Sequence, residues 1–503
     1  MRTDIELKKS MSEKEKVVRL VFVLTIVCSL IVIVRGFFSG KPLNDYFWHY
    51  KVGEWIVKNK EVPTFGIYSW FAKDNGLYWF SHEWLSGVVI YLTSFGSMTA
   101  AMVSAMIIQI AIMLLMTIST RKYAEKNALV YGAWHIAAVI VMNKYFYPRP
   151  HIYSYFLLFF EMAILYKFKK EEKNTKLVYF LPLIAVLWAN FHGGSSNLIY
   201  IIPVLVLLTS LCDFTIGRVE FTRLPKEKLK SLGLATMLSV IGLCVNPHGY
   251  KLLTYPLDNM NDKLMLSAIS EWAAPDIKNI SSFKAIIPVI IIALVFFLTK
   301  KKINAMDLLI FAFFTYLYLR SERFVALLLI SACFYMFDYV IDLDLDAFLK
   351  CRPLIKKAVY ALAVVGVLSF AILTAEQALL SDGSVVTDHA VSDEAIAVIR
   401  SRNPRRMYNH YNLGGELIYN DLDVFIDGRA DMYSKYNFRD FMDMTSMTLD
   451  GQGKWHIEEM LAKYNFDLFV CTQTDKTRVY LEAHPDEYEC IYEDAKVIIF
   501  APC

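Results

Sequence analysis

The fold is decided by apolar runs, of which the first is LVFVLTIVCSLIVIV, Leu20–Val34. Similar runs follow, such as LVYFLPLIAVL (Leu177–Leu187) and IIPVIIIALVFFL (Ile286–Leu298). Each lies in a stretch long enough to cross a hydrocarbon core, which takes about 20 helical residues. Hydrophobic residues make up 56% of the 503 residues and charged residues only 20%, less than a water-facing surface requires. The composition therefore predicts a polytopic α-helical membrane protein and excludes a large soluble core.

We predict eleven transmembrane helices, at about 19–38, 97–119, 128–144, 152–168, 177–191, 195–212, 231–246, 284–299, 306–320, 323–341 and 357–375. With the N-terminus in the cytoplasm, every cytoplasmic loop is rich in lysine and arginine, as the positive-inside rule requires. These loops hold Arg121-Lys122, Lys167–Lys176, Arg218–Lys230, Lys300–Lys302 and Lys350–Lys357. Each basic cluster is short and flanks a span, so membrane topology explains it better than nucleic-acid binding.

This topology divides the chain into a cytoplasmic segment (1–18), a transmembrane domain (19–375) with a first extracytoplasmic loop (39–96), and an extracytoplasmic C-terminal domain (376–503). No small-residue cleavage site follows the first span, so we expect an uncleaved anchor. The C-terminal pattern predicts a compact α/β domain. Its expected elements are strands at 406–411, 423–426 and 466–471, a turn at Gly414-Gly415, a helix at 457–464 and a hairpin at 488–500.

The eight cysteines form no close-spaced framework and no CxxC metal signature. Five of them lie in or beside spans and are interpreted as small packing residues. Cys471, Cys490 and Cys503 fall in the C-terminal domain, where one disulfide is compatible with export.

The first loop is the most informative segment: NDYFWHYKVGEWIVKNKEVPTFGIYSWFAKDNGLYWFSHEWLSGVVIYL, from Asn44 to Leu92. Its start predicts an amphipathic helix lying along the membrane surface, with an apolar stripe opposite a charged face. The stripe is Trp48, Val52, Trp55 and Ile56, and the charged face is Lys51, Glu54 and Lys58. A second surface helix is expected to begin at Ser81 as N-cap and to turn Trp84, Leu85, Val88 and Val89 inward.

Two acid–histidine pairs in this loop are candidate catalytic groups. Asp45 and His49 are four residues apart and project from one helical face, where a carboxylate can accept a hydroxyl proton and an imidazole can orient or protonate. Their alternative roles are a helix cap and an interfacial side chain. His82 and Glu83 are adjacent, so on a helix only one of them faces a site. Glu83 in a first helical turn could instead complement the helix dipole.

The succession of an acid after the first span, an amphipathic helix, and then VP, YSW, GLYW and HEWLSG resembles the GT-C superfamily of polyprenyl-phosphate-dependent glycosyltransferases. The likeness is to the bacterial branch that includes aminoarabinose and mannosyl transferases and their RgtA/B/C/D-like relatives. The resemblance implies that Asp45 is the general base for the acceptor hydroxyl and that Glu83 lies opposite it on the second surface helix. Many members have two adjacent acids where this chain has Asn44-Asp45.

Two C-terminal segments, NHYNLGGELIY (409–419) and IDGRADMY (426–433), resemble the same relatives. They are also distantly similar to the acceptor-recognition region of oligosaccharyltransferases. The resemblance implies that Asp427 and Arg429 meet an acceptor. The glycines at 414, 415 and 428 are alternatively plain turn residues.

The remaining candidates lie at the predicted outer ends of the spans. His151, His192 and His248 join His49 and His82 there, which indicates a polar cavity, although capping is the alternative for each. Guanidinium groups suit a lipid phosphate, and snorkelling to headgroups is their alternative role. The candidates are Arg149 and the pair Arg320 and Arg323, expected on one helix face with Glu322 pointing elsewhere. The substrate-binding set is His82, Arg149, His151, His192, His248, Glu271, Arg320, Arg323, Asp427 and Arg429.

We therefore predict an inverting glycosyltransferase that moves a sugar from a polyprenyl-phosphate donor to a glycan, lipid or protein acceptor at the extracytoplasmic face of the cell membrane. No cofactor is predicted. A divalent cation remains an open alternative, although no HxxxH or HExxH spacing occurs. A transporter or lipid flippase for a cell-envelope glycan precursor is the rival function, and it predicts polar residues at mid-membrane and symmetric repeats. A third reading is an inactive glycan-binding scaffold, which would lack the acids Asp45 and Glu83.

Overall fold

The structure, a computed structural model, describes residues 13–38, 44–171, 176–262, 264–265, 272–276, 278, 280–341, 389–446 and 456–503. The eleventh predicted span (357–375) and Glu271 lie outside these residues. Helices form most of the described chain up to residue 341, because its apolar runs satisfy their backbone groups internally. Their bounds are Glu13–Phe38, Asn44–Asn59, Trp70–Asp74, Trp84–Ser94, Met98–Ser119, Arg121–Ala124, Ala128–Asn143, His151–Lys170, Leu181–Phe191, Leu198–Thr209, Lys226–Leu243, Tyr255–Asn261, Ile280–Leu298, Ala305–Arg320, Val325–Ala332 and Met336–Val340. Single turns of 3-10 helix occur at Lys176–Phe180, Gly193–Ser195, Gly249–Leu253 and Glu322–Phe324.

Ten of the eleven predicted spans coincide with helical segments of the structure. Two of these helices are long and apolar enough to cross a bilayer: Glu15–Phe38, with mean hydropathy 3.0, and Met98–Ser119, with mean hydropathy 2.3. The other apolar helices are shorter, for example Trp84–Ser94 and Ala285–Leu298. The count of eleven crossings therefore stays a prediction.

A small sheet between two of these helices was not predicted. Phe214–Ile216 and Val219–Phe221 form an antiparallel hairpin, and the second strand pairs in parallel with Ile303–Asn304. Gly217 closes the hairpin with a φ of 57°, a backbone conformation that glycine adopts without steric cost.

The C-terminal residues fold around a four-stranded mixed sheet. Its strands are Met407–Asn409, Leu468–Thr472, Tyr488–Glu493 and Val497–Pro502. In spatial order the first strand lies beside the second, the fourth follows, and the third is at the far edge. The accompanying helices are Asp393–Arg402, Gly414–Tyr419, Ala430–Tyr433, Phe438–Ser446, His456–Tyr464 and Lys476–Glu482, with a 3-10 turn at Tyr411–Leu413. The helix expected at 457–464, the strand at 466–471 and the hairpin at 488–500 all occur.

Two C-terminal expectations were wrong. Gly414-Gly415 opens a helix rather than a turn. The stretch 423–426 forms no sheet strand, because the buried Asn409 amide occupies its polar groups instead: Nδ2 donates to Ile426 O (2.8 Å) and Oδ1 accepts from Phe425 N (2.8 Å). Cys471, Cys490 and Cys503 are all free thiols in the structure, so the compatible disulfide is not formed.

The first loop forms two helices that cross at glycines. These are the first loop helix (Asn44–Asn59) and the second loop helix (Trp84–Ser94). A Cβ on Gly53 would overlap the backbone carbonyl of Gly87, and a Cβ on Gly87 would lie 3.0 Å from His49 O. The two backbones therefore touch directly, which places the middle of the first loop helix beside the first turn of the second loop helix.

The second loop helix begins later than predicted. Ser81 is not its N-cap: its hydroxyl donates to Pro63 O (2.7 Å), and Glu83 occupies the cap position. The buried face consists of Ser86, Gly87, Ile90 and Ser94 rather than the larger apolar residues expected.

The first loop helix does not lie free on a membrane surface. Its apolar stripe, including Trp48, Val52 and Ile56, joins a hydrophobic core formed mainly by C-terminal residues. On its charged face Lys51 is buried and pairs with Asp421 (2.5 Å). Trp70, further along the loop, stacks on Phe425 with ring centroids 5.6 Å apart. The first loop and the C-terminal residues thus share one core.

We predict that Gly53→Ala destabilises the protein by about 1–3 kcal/mol, the usual cost of overpacking, because the new methyl group meets the Gly87 backbone. Gly233→Ala is the matched control, since a Cβ at that helical glycine meets nothing within 4 Å. The midpoint of thermal unfolding in detergent should fall for the first variant and hold for the second. Equal midpoints would contradict the close crossing.

Candidate active site

A cavity of about 700 Å³ lies where the first loop, the helix ends and the C-terminal residues meet. Nine of the thirteen predicted site residues line it: Asp45, His49, His82, Glu83, Arg149, His151, His192, Arg323 and Arg429. They come from five separate parts of the chain, so only the fold brings them together. The structure brings these acids, imidazoles and guanidinium groups together in one cavity, and their roles stay predictions.

Asp45 is in the first turn of the first loop helix, at the wall of the cavity. Its Oδ2 pairs with Arg149 Nη2 at 2.8 Å, and its Oδ1 accepts a hydrogen bond from Trp48 Nε1 (3.3 Å). Gly428 packs directly on this carboxylate, and a Cβ there would overlap Asp45 and lie 2.7 Å from Trp48 Nε1. Gly428 is therefore required for close approach, not as a turn residue.

Glu83 is surrounded by three imidazoles. Its Oε1 lies 3.4 Å from His192 Nε2 and 3.5 Å from His82 Nε2, and its Oε2 lies 3.6 Å from His49 Nε2. The Gly53–Gly87 crossing brings His49 into this group. The loop after the helix Leu181–Phe191 brings His192, because Gly193 N donates to His82 O (3.3 Å).

His82 and Glu83 both face the cavity, contrary to the expectation that only one could. The expectation assumed a helix, but both residues precede the first residue of the second loop helix, and Glu83 has φ −116° and ψ 18°. In this turn conformation adjacent side chains can converge.

Burial sets the charge of this group. It raises the pKa of Glu83 to about 8, an effect to which Asp431 and Asp45 add and which Arg323 and Arg149 oppose. Burial lowers the pKa of His82 to about 3 and the pKa values of His49 and His192 well below their usual range. A neutral carboxylic acid among neutral imidazoles is the form that these shifts favour near pH 7.

The two predicted phosphate ligands Arg320 and Arg323 do not share a helix face. The helix ends at Arg320, Ser321 is extended (φ −155°), and a 3-10 turn follows. Arg320 is exposed, donates to Met260 O at 3.4 Å and is not part of the cavity wall. Arg323 lines the cavity and stacks on Trp272, 4.2 Å from the ring centroid.

His248 lies behind the cavity wall rather than on it. Its ring stacks on Phe80 (centroids 4.0 Å apart), and Tyr78 OH donates to its Nδ1 (2.7 Å). His151 is in the wall, and its Nε2 donates to Tyr145 O (2.6 Å). His248 is therefore placed as a packing residue.

Asp427 and Arg429 form a buried tie between the C-terminal residues and the first loop. Arg429 Nε and Nη2 donate to the two oxygens of Asp427 at 2.8 and 2.7 Å, and Nη1 donates to Ile67 O at 2.8 Å. Both side chains are inaccessible to solvent, and Tyr433 OH donates to Asp427 (2.5 Å). Asp427 is not part of the cavity wall, so its expected contact with an acceptor is replaced by this structural role.

One acid of the cavity and most of its aromatic wall were not predicted from the sequence. Asp431 lines the cavity and accepts a hydrogen bond from Tyr255 OH (2.9 Å), and burial raises its pKa to about 6. Its position two residues after Arg429 in IDGRADMY was a signal that could have found it. The aromatic wall residues are Trp48, Trp79, Trp84, Tyr145, Tyr147, Tyr155, Tyr255, Trp272, Phe324, Tyr411, Phe438 and Phe441.

Within the described residues, no group of three or more histidine, cysteine, aspartate or glutamate side chains has a geometry suited to a metal ion. A divalent cation therefore stays an open alternative, as it was from the sequence.

Comparisons with known proteins support the fold. No protein-family model and no curated protein sequence matches the chain. The structure is similar to the crystal structure of an Archaeoglobus fulgidus oligosaccharyltransferase that carries a tethered acceptor peptide with the NVT sequon. The TM-score is 0.54 at 12% identity, over 97% of this chain and 74% of that one. The chain thus shares the fold of that oligosaccharyltransferase, and its assignment to the GT-C superfamily and to the RgtA/B/C/D-like relatives stays a prediction.

We predict that Arg429→Met lowers the free energy of unfolding by about 3–5 kcal/mol, because it leaves the Asp427 carboxylate buried without its partner. Arg439→Met, at an exposed position of the same C-terminal region, is the control. Thermal unfolding and protease protection of the C-terminal residues measure the effect. Unchanged protection in Arg429→Met would show that the pair does not tie the two parts together.

Proposed function

We propose that this protein is a membrane glycosyltransferase that transfers a sugar from a polyprenyl-phosphate donor to an acceptor hydroxyl at the extracytoplasmic face. The observation that carries the proposal is the Asp45–Arg149 pair at the wall of a cavity shared by the membrane helices and the C-terminal residues. The shared fold with an oligosaccharyltransferase supports it, as fold analogy rather than as a demonstrated activity.

In this proposal Arg149 and Arg323 bind the donor phosphate. Both line the cavity, and both lower the pKa of Glu83, so each acts electrostatically on the same region. Guanidinium groups match phosphate oxygens and stabilise the charge that develops on a leaving phosphate. The lipid tail would lie among the apolar helices that surround the cavity.

Asp45 is the proposed general base. While it is paired with Arg149 its lone pairs are partly engaged, which weakens it as a base. A donor phosphate that takes over the Arg149 fork would leave the Asp45 carboxylate for the acceptor hydroxyl. Donor binding would then activate the base, so that an acceptor is deprotonated only when a sugar is present.

The acceptor is proposed to contact the C-terminal side of the cavity. His410, Tyr411 and Asp431 line it there, opposite the first loop. Aromatic faces such as those of Trp79 and Trp272 suit the apolar faces of sugar rings, and Asp431 can accept a hydrogen bond. This composition fits a glycan, lipid or protein acceptor that presents a hydroxyl group.

We predict that Asp45→Asn lowers transfer by about 10²–10⁴-fold, the usual contribution of general base catalysis, while leaving the fold intact. Asp213→Asn is the control, since Asp213 is exposed and its Oδ1 hydrogen bond from Arg223 N (2.7 Å) survives the change to an amide. The assay is sugar transfer from a panel of polyprenyl-phosphate sugars. Release of lipid phosphate distinguishes transfer from flipping, and full activity in Asp45→Asn would refute the base assignment.

A second prediction separates the two arginines. Arg323→Lys should raise the KM for the donor by about 10-fold or more, because a point charge replaces a guanidinium fork at the cavity wall. Arg320→Lys, the same change three residues earlier and outside the cavity wall, should leave the KM unchanged. Equal effects of the two substitutions would remove Arg323 from the phosphate site.

A further inference from the structure

Hydrogen bonds behind Glu83 position the imidazoles that face it. Trp188 Nε1 donates to Ser154 Oγ (2.8 Å), and Ser154 Oγ and Ser195 Oγ lie 2.6 and 2.9 Å from His192 Nδ1. The two hydroxyl groups also lie 2.8 Å from each other, so each serine can donate to His192 Nδ1 or accept from it. His192 Nε2 lies 3.4 Å from Glu83 Oε1, and in the tautomer in which Nδ1 accepts, it donates to that oxygen.

A backbone carbonyl fixes the tautomer of His82. Its Nδ1 lies 3.2 Å from Phe80 O, a carbonyl that can only accept, so Nδ1 carries the hydrogen. In neutral His82 the Nε2 lone pair therefore faces Glu83 Oε1 at 3.5 Å. An ionised carboxylate would meet that lone pair without a proton between them, which is unfavourable in a buried site.

We propose that Glu83 and His82 share one proton and that this pair is the general acid, delivering the proton to the leaving phosphate of the donor. The proposal rests on the proposed function for the identity of the leaving group, but the shared proton itself follows from the hydrogen-bond pattern. The separations of 3.4–3.6 Å exceed a normal hydrogen bond, as is common for catalytic groups before substrate closes the site.

The charged and titratable groups that face Glu83 are consistent with one retained proton. The imidazoles of His49, His82 and His192 surround the carboxyl group. Asp45 and Asp431 favour its protonated form, whereas Arg149 and Arg323 oppose it. Asp45, paired with Arg149, stands in the opposite environment. Two carboxyl groups in one cavity thus have the surroundings of a base and of an acid.

The group transfer balances with these two residues. The acceptor oxygen forms a bond to the anomeric carbon as its proton passes to Asp45. The bond from that carbon to the phosphate oxygen breaks, and the electron pair stays on the oxygen. The proton shared by Glu83 and His82 goes to the phosphate, which leaves as a lipid hydrogen phosphate. Asp45 then returns a proton to Glu83 through water in the cavity, and the site is restored.

Glu83→Gln tests the proposal sharply, because it keeps the size of the side chain and an amide nitrogen in place of Oε1 can donate to His82 Nε2 but cannot release a proton. We expect transfer from polyprenyl-phosphate sugars to fall by about 10²–10⁴-fold with an unchanged unfolding midpoint. Glu220→Gln is the matched control, because Glu220 lies in the strand Val219–Phe221 and is not part of the cavity wall. This variant should keep full activity. A Glu83→Gln variant that retains wild-type transfer would overturn the general acid and leave Glu83 a positioning role.

Two measurements on the wild type complete the test. Transfer should decline as pH rises through about 8, because the pair then loses its proton, and residual transfer by Glu83→Gln should lack this decline. Infrared difference spectra between the wild type and Glu83→Gln at pH 7 should show one protonated carboxyl band or an imidazolium band. The absence of both bands would refute the shared proton. If the wild type shows one of these bands but transfers sugar from no donor, the proposed function and the leaving-group step are both wrong. The shared proton of Glu83 and His82 would still be supported.

Discussion

The buried pair of Asp427 and Arg429 holds the C-terminal residues against the first loop, and the cavity exists only because those two parts meet. Arg429 Nη1 donates a further hydrogen bond to Ile67 O, and the guanidinium group lies over Trp79, 4.9 Å from the ring centroid. Removing a buried charge from water is costly, so the pair persists only with all its hydrogen bonds made. These hydrogen bonds therefore hold the C-terminal residues in one position against the first loop. Gly428, which lies between Asp427 and Arg429 in the sequence, is thereby packed against the Asp45 carboxylate.

Close backbone approach is the second constraint on the cavity. Gly53 and Gly87 let the two loop helices touch, Gly193 lets the His192 loop pack on His82, and Gly428 leaves room for the Asp45 carboxylate. Each glycine is needed for space rather than for an unusual dihedral angle. In this cavity the close approach of backbones at these glycines brings candidate site residues from distant parts of the chain together.

The two acids of the first loop, Asp45 and Glu83, have different surroundings in the cavity. Asp45 has a guanidinium partner at 2.8 Å, whereas Glu83 has imidazoles on three sides and a pKa raised to about 8 by burial. Opposite environments assign opposite protonation states, which is the general way one site performs acid and base chemistry at the same pH. The aromatic wall adds apolar surface around both acids, and electrostatic interactions are stronger in less polar surroundings.

Local pattern determined the helices, since an apolar run of suitable length satisfies its own backbone in any context, and ten predicted spans accordingly coincide with helical segments. It also identified Asp45, Glu83, Arg149 and four of the cavity histidines, because the positive-inside rule assigned all of them to the same, outer side of the membrane. Tertiary structure alone decided which of them meet. The break at Ser321 separated Arg320 from Arg323, a turn rather than a helix let His82 and Glu83 face the same space, and burial made Asp427 a tie. These outcomes depend on contacts between residues hundreds of positions apart, and no local spacing encodes such contacts.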